Sequence, residues 1–238
     1  MNRVYVAVAA TLIVGAAVGR PVPGWSSVPS SQRLTQAGRY LMADRQAEIA
    51  LARSAAPAAI SLHATILVLT VHGYDTAEKG SNGFTCLVER SWESPFDDSG
   101  FWNWRMRGPV CYNPSASRSV LPYTLARTRM ALSGDTTAQM LDALRAAIAD
   151  RRLPELEAGS MAYMMSKDQY LNDAAKAWYP HVMLYAPKAN GADAGASWGA
   201  DRHGSPVLYD SSHQVVPEPW AIFYVPVAHW SDGSAGPK

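Results

Sequence analysis

Thr65-Ile-Leu-Val-Leu-Thr-Val71 is β-branched and apolar along nearly its whole length. A run this short, closed by Gly73, reads as a central strand covered on both faces rather than as a helix. It therefore sets the fold class, because its neighbours must supply a sheet and covering layers. Asp75 to Gly83 follows, with Lys79-Gly80 and Asn82-Gly83, and reads as a turn-rich connection. Phe84 to Arg90 then alternates, with Phe84, Cys86 and Val88 on one face and Thr85, Leu87 and Glu89 on the other. The two runs are expected to pair antiparallel across that long loop.

Upstream, Leu34, Ala37, Leu41, Ile49, Ala52 and Ala56 recur along one face and predict a helix over 34–56, ended by Pro57. Downstream, Ser91 to Pro109 is irregular and aromatic, carrying Trp92, Phe96, Phe101, Trp102 and Trp104. Val110-Cys111-Tyr112 reads as a short strand. Asn113-Pro114 starts a helical turn, with the main helix from Pro122 to Leu132 stopped by Ser133-Gly134. Thr136 to Arg151 has capping-box spacing at Thr136 and Gln139 and a stripe at Met140, Leu141, Leu144, Ala147 and Ile148. Further strands are expected at Ser160–Met165, His181–Ala186 and Ala221–Val227. The last two are separated by a long connection, Pro187 to Pro219, rich in Gly, Ala, Asp and Pro. The order predicts an α+β fold: one domain over 34–232, a mainly antiparallel sheet, roughly three helices and long aromatic-rich loops.

Residues 1–19 place Arg3 ahead of an apolar run with the small residues Ala16, Ala17 and Gly19 at its exit, the pattern of a signal peptide. Residues 20–33 form a Pro/Ser-rich linker, and 233–238 are expected as a flexible tail. The expected location is periplasmic or extracellular, with no membrane association once the leader is removed. A formal charge of +1 gives no electrostatic footprint for nucleic acid. In an oxidising compartment Cys86 and Cys111, 25 positions apart, are expected to form a disulfide.

The chain contains no GxSxG, HExxH, Walker or GxGxxG spacing. Its six histidines form no close ligand pair. His181 with Met183, and Met161 with Met165, share strand faces in a copper-like donor set, but methionines at such positions usually fill cores, so no metal or cofactor is expected. Ser166, Lys167 and Asp168 leave a strand together. Ser166 with Gln169 has the spacing of a cap for a following helix, and a desolvated lysine beside a serine can also act as a base. His229 and Asp232 read as an oriented base or as a strand end entering an Asp-Gly turn. Glu89 and Glu93 read as a carboxylate pair, or Glu89 as the solvent end of an alternating strand. The eight tryptophans either cover the core beneath long loops or line a ligand surface.

Four stretches, Asn82 to Trp92, Met165 to Leu171, Trp178 to Pro187 and Val225 to Gly233, resemble a group of uncharacterised bacterial exported proteins. The resemblance spans about Arg45 to Asp232 and implies one domain. It brings no activity and no site residues. The residues alone give three readings. The first is an envelope protein binding a small or oligomeric ligand through Trp102, Trp104, Trp178, His181, Tyr185, Trp198 and His229. The second is a hydrolase using Ser166, Lys167, His181, His229, Asp232 and Glu89. The third is a structural or interaction module.

Overall fold

A computed structural model describes residues 37–174, 176–188 and 214–237. The expected leader, the linker, Trp198 and most of the connection after Pro187 lie outside them. The fold is α+β. One seven-stranded sheet runs in the order β2-β1-β3-β4-β5-β6-β7, with every neighbouring pair antiparallel except β1 and β3. The strands are β1 (Thr65–Thr70), β2 (Gly73–Glu78), β3 (Thr85–Glu89), β4 (Gly108–Tyr112), β5 (Met161–Met164), β6 (His181–Pro187) and β7 (Trp220–Pro226). The helices are α1 (Arg45–Arg53), α2 (Ala58–Ser61), α3 (Pro114–Ser119), α4 (Leu121–Ser133) and α5 (Thr137–Ala149). Among the described residues no helix is long and apolar enough to cross a membrane.

The expected antiparallel pairing of Thr65–Val71 with Phe84–Arg90 is wrong. The stretch read as a turn-rich connection supplies an edge strand, β2. Gly73, at φ +122, reverses the chain directly after β1, so that Tyr74, Asp75 and Thr76 pair back onto Leu69, Val68 and Leu67. β2 exposes its polar middle, so the hydrophobic pattern that marks a buried strand is absent. The chain then crosses to the far side of β1, and β3 runs parallel to it. Gly80 permits the crossing. A Cβ there would stand 2.3 Å from the backbone of Ala64 and Thr65.

The expected helix over 34–56 also begins later than predicted. Asp44 accepts a hydrogen bond from the Gln46 backbone at 2.8 Å and starts α1. Helix α1 ends at Arg53, and Pro57 precedes the separate turn α2. Tyr40 and Leu41 still pack on the core, from outside any long helix. The other helices follow the sequence signals. Asn113 caps α3, Gly134 ends α4 in the left-handed region, and Thr136 and Gln139 form the reciprocal cap of α5.

Both faces of the central strands are covered. Ile66 and Val68 of β1 join Cys86, Val88 and Cys111 beneath Ile49 and Ala52 of α1. On the opposite face Leu67, Leu69, Leu87, Val110 and Tyr112 meet Val120, Leu121, Tyr123, Met140 and Leu144 of the helical layer. Cys86 and Cys111 are direct cross-strand partners on β3 and β4. They form a disulfide with α-carbons 3.9 Å apart.

Candidate functional site

The alternation of β3 that carries Leu87 into the helix-covered core carries Glu89 there too, so Glu89 is buried rather than at a solvent end. A 3-10 turn, Ser91–Glu93, brings Glu93 to the same cavity. From β4, the Tyr112 hydroxyl donates to Glu89 Oε1 and lies 3.1 Å from Thr124 Oγ1 on α4. One turn further along α4, Arg127 donates through Nε to Glu218 Oε1 at 2.8 Å and through Nη1 to the carbonyls of Trp92 and Ser94, each at 2.8 Å. The period of two in β6 and β7 aims His181, Met183 and Tyr185, then Trp220 and Ile222, at the same space. Together these residues enclose a cavity of about 250 Å³.

One wall is aromatic. Tyr123 and Trp220 meet edge to face with centroids 4.5 Å apart, and Tyr185 stands edge-on to Trp220 at 6.1 Å. Trp178 lies beside His181, at 6.2 Å. The polar wall is mostly acidic. Glu89, Glu93, Asp98 and Glu218 line the cavity, and Arg127 is its only lysine or arginine among the described residues. Three buried acceptor atoms on this lining have no hydrogen-bond partner among the described residues: Glu93 Oε1, His181 Nε2 and Gln214 Oε1.

Burial controls the titration of these groups. Desolvation pushes Glu89 up to about 7, although the Tyr112 hydrogen bond and the Arg127 charge pull it down. Glu93 is also raised, first by burial and then by the charge of Glu89. Two mutually repelling carboxyls of this kind retain a proton between them near neutrality. Burial pushes His181 down to about 4, so its ring is neutral. His181 Nδ1 lies 2.7 Å from the Tyr179 carbonyl. That contact assigns the proton to Nδ1 and leaves the Nε2 lone pair as an acceptor.

Of the residues singled out from sequence, Glu89, Glu93, Trp178, His181, Met183 and Tyr185 line this cavity. Ser166, Lys167, His229, Asp232, Trp102 and Trp104 do not. Among the described residues no helix follows Ser166. Its hydroxyl instead accepts from the Asp168 amide at 3.2 Å and sits 2.6 Å from Ser54 Oγ. Lys167 and Asp232 form a surface ion pair at 2.6 Å. His229 makes an isolated β-bridge to Ala235. Trp102 donates to Thr137 Oγ1 at 3.1 Å beside a different hollow, and Trp104 lies under the Arg39 guanidinium at 5.3 Å. Tyr112, Arg127, Glu218 and Gln214 escape sequence reading. The available signal was on α4, where Thr124, Arg127 and Thr128 share helical spacing with buried Leu121. Among the described residues no group of three or more His, Cys, Asp or Glu side chains has the arrangement of a metal site. No family model, curated protein or solved structure matches the chain.

Proposed function

We propose that the protein is an exported ligand-binding protein whose occupant fills the cavity between the sheet and α4. The observation that carries this reading is the presence of three unpartnered acceptors, Glu93 Oε1, His181 Nε2 and Gln214 Oε1, on side chains that line one partly aromatic cavity. A buried polar atom without a partner costs about 1–3 kcal/mol, and a bound molecule with matching donors removes that cost. Rings in the same lining supply apolar contact, the usual division of labour in a small-molecule site.

The hydrolase alternative is less well supported. Lys167 and Asp232 touch each other but lie on the surface, away from the cavity. Glu89 and His181 face the cavity but have separate hydrogen-bond partners, Tyr112 and the Tyr179 carbonyl. A nucleophile and base acting together require mutual hydrogen-bond reach.

A fragment screen by ligand-observed NMR, repeated with Trp178→Ala and Glu93→Gln, tests the binding reading. Compounds that bind the native protein should lose signal in both variants while the fold is retained. Hits that ignore both substitutions would place binding elsewhere and reject the proposal.

A further inference from the structure

We infer that the occupant of this cavity is a compact organic amine bound as its ammonium ion, with N–H donors directed at Glu93, His181 and Gln214. This deepens the binding reading and rests on it. The first argument is the sign of the hydrogen-bonding demand. Gln214 Oε1 is an acceptor by nature, Glu93 Oε1 is one once its carboxyl is ionised, and His181 Nε2 is one because its other ring nitrogen faces the Tyr179 carbonyl. A ligand that only accepts would leave all three unmatched, whereas an ammonium group brings up to three N–H donors.

The second argument is charge. Arg127, the only guanidinium on the lining among the described residues, is hydrogen-bonded to Glu218 and two backbone carbonyls. Glu89 and Glu93 feel its charge, but that one cation serves three carboxyls. A buried pair of carboxyls favours a positive partner, which stabilises their ionised forms. An anionic ligand would meet four acidic side chains and is disfavoured.

The third argument concerns the walls. Tyr185, Trp220 and Trp178 offer ring faces or edges next to the acidic groups. Aromatic rings attract organic cations. The unmatched acceptors further select a protonated primary or secondary amine over a quaternary ammonium, which has no N–H to donate. A volume of about 250 Å³ lies just under the usual range of small-molecule pockets, ~300–1,000 Å³, and restricts the amine to a compact one.

The test is calorimetric titration of the full mature chain at pH 7.5 with a graded series of butylamine, cyclohexylamine, benzylamine and 2-phenylethylamine. Each is compared with the alcohol of the same skeleton and with its trimethylammonium analogue. The inference expects at least one amine to bind tenfold or more tightly than both counterparts, and Glu93→Gln to remove at least tenfold of that affinity. Circular dichroism and the thermal midpoint establish that this variant is folded. Alcohols binding as tightly as amines, with Trp178→Ala weakening both, would overturn the ammonium assignment and leave the binding site standing. Tighter binding of the trimethylammonium probes would overturn the N–H donor argument. If no amine binds, the assignment falls. If neutral fragments also fail to bind at Trp178, the binding reading falls with it.

Discussion

Two buried arginine–glutamate pairs divide the molecule into a finished part and an unfinished one. Arg90 and Glu48 meet at 2.8 Å with side-chain exposures of 0% and 2%. Arg90 also donates to the carbonyls of Tyr40 and Val88, and Glu48 Oε1 accepts from the Leu69 amide at 3.1 Å. The pair ties α1 to β1 and to the end of β3. Arg127 and Glu218 meet at 2.6 Å, but three further carboxyls and a neutral histidine share their cavity. The first network uses its charges to hold elements together. The second leaves acceptors over, which is costly unless something else binds there.

The comparison breaks most readily through isosteric amides. Glu48→Gln leaves the Arg90 guanidinium buried without its counter-charge and is expected to cost about 3–5 kcal/mol in urea unfolding. Glu93→Gln removes a charge that repels Glu89, and it should leave the native protein as stable as before or raise its stability. Equal losses in the two variants would erase the distinction. Next in size is the covalent link on the α1 side of the sheet. Replacing both Cys86 and Cys111 by alanine removes the tie between β3 and β4. The expected loss is about 3 kcal/mol, read as a lower urea midpoint that reducing agent does not lower further.

The same contrast explains what was legible in the sequence. The side packed by α1 obeys simple patterns. Ile66, Val68, Cys86 and Val88 alternate as buried strand residues, and the two cysteines pair with each other. Capped helices α3 and α5 announce their own ends, because capping is local chemistry. The cavity is non-local. Glu89, Thr124, His181 and Glu218 come from four separated segments, and no spacing in the chain records their convergence. Alternation alone leaves Glu89 open between a carboxylate pair and a wet strand end, because it does not tell which face is covered. Leu87, on the same face, is fully buried and belongs to a second core. Strand β2 was missed for the complementary reason: at an edge, backbone hydrogen bonds suffice without apolar side chains.

The contrast sharpens further with pH. Glu89, raised to about 7 by burial, holds a proton in the folded protein after the unfolded chain has lost it near its ordinary value of 4.5. Glu93 shifts in the same direction. The folded state thus binds more protons between pH 4.5 and 7, and these groups make stability fall as pH rises through that window. His181 acts oppositely. Held down to about 4, it stays neutral while the unfolded imidazole is still protonated, so its contribution rises from pH 4 to 6.5. Lowered titration of Asp173 and Asp232 lies below this range. Urea midpoints across pH 4.5–7 should therefore climb more steeply in Glu89→Gln/Glu93→Gln than in the native chain. In His181→Gln they should decline. Parallel curves for all three would mean that none of these groups is desolvated.

The smallest effect belongs to a pair drawn from two separate sequence candidates. Lys167 reads with Ser166 and Asp232 with His229, but the two meet each other, with the lysine held charged by the aspartate. Both side chains remain about half exposed, at 53% and 43%, where solvent and salt screen the attraction. Neither approaches the cavity lining. Lys167→Met should leave the urea midpoint within experimental error and amine affinity unchanged, at low and at high salt. A tenfold loss of affinity would mean that the surface pair communicates with the cavity. It would return Lys167 to the functional set from which its position removes it.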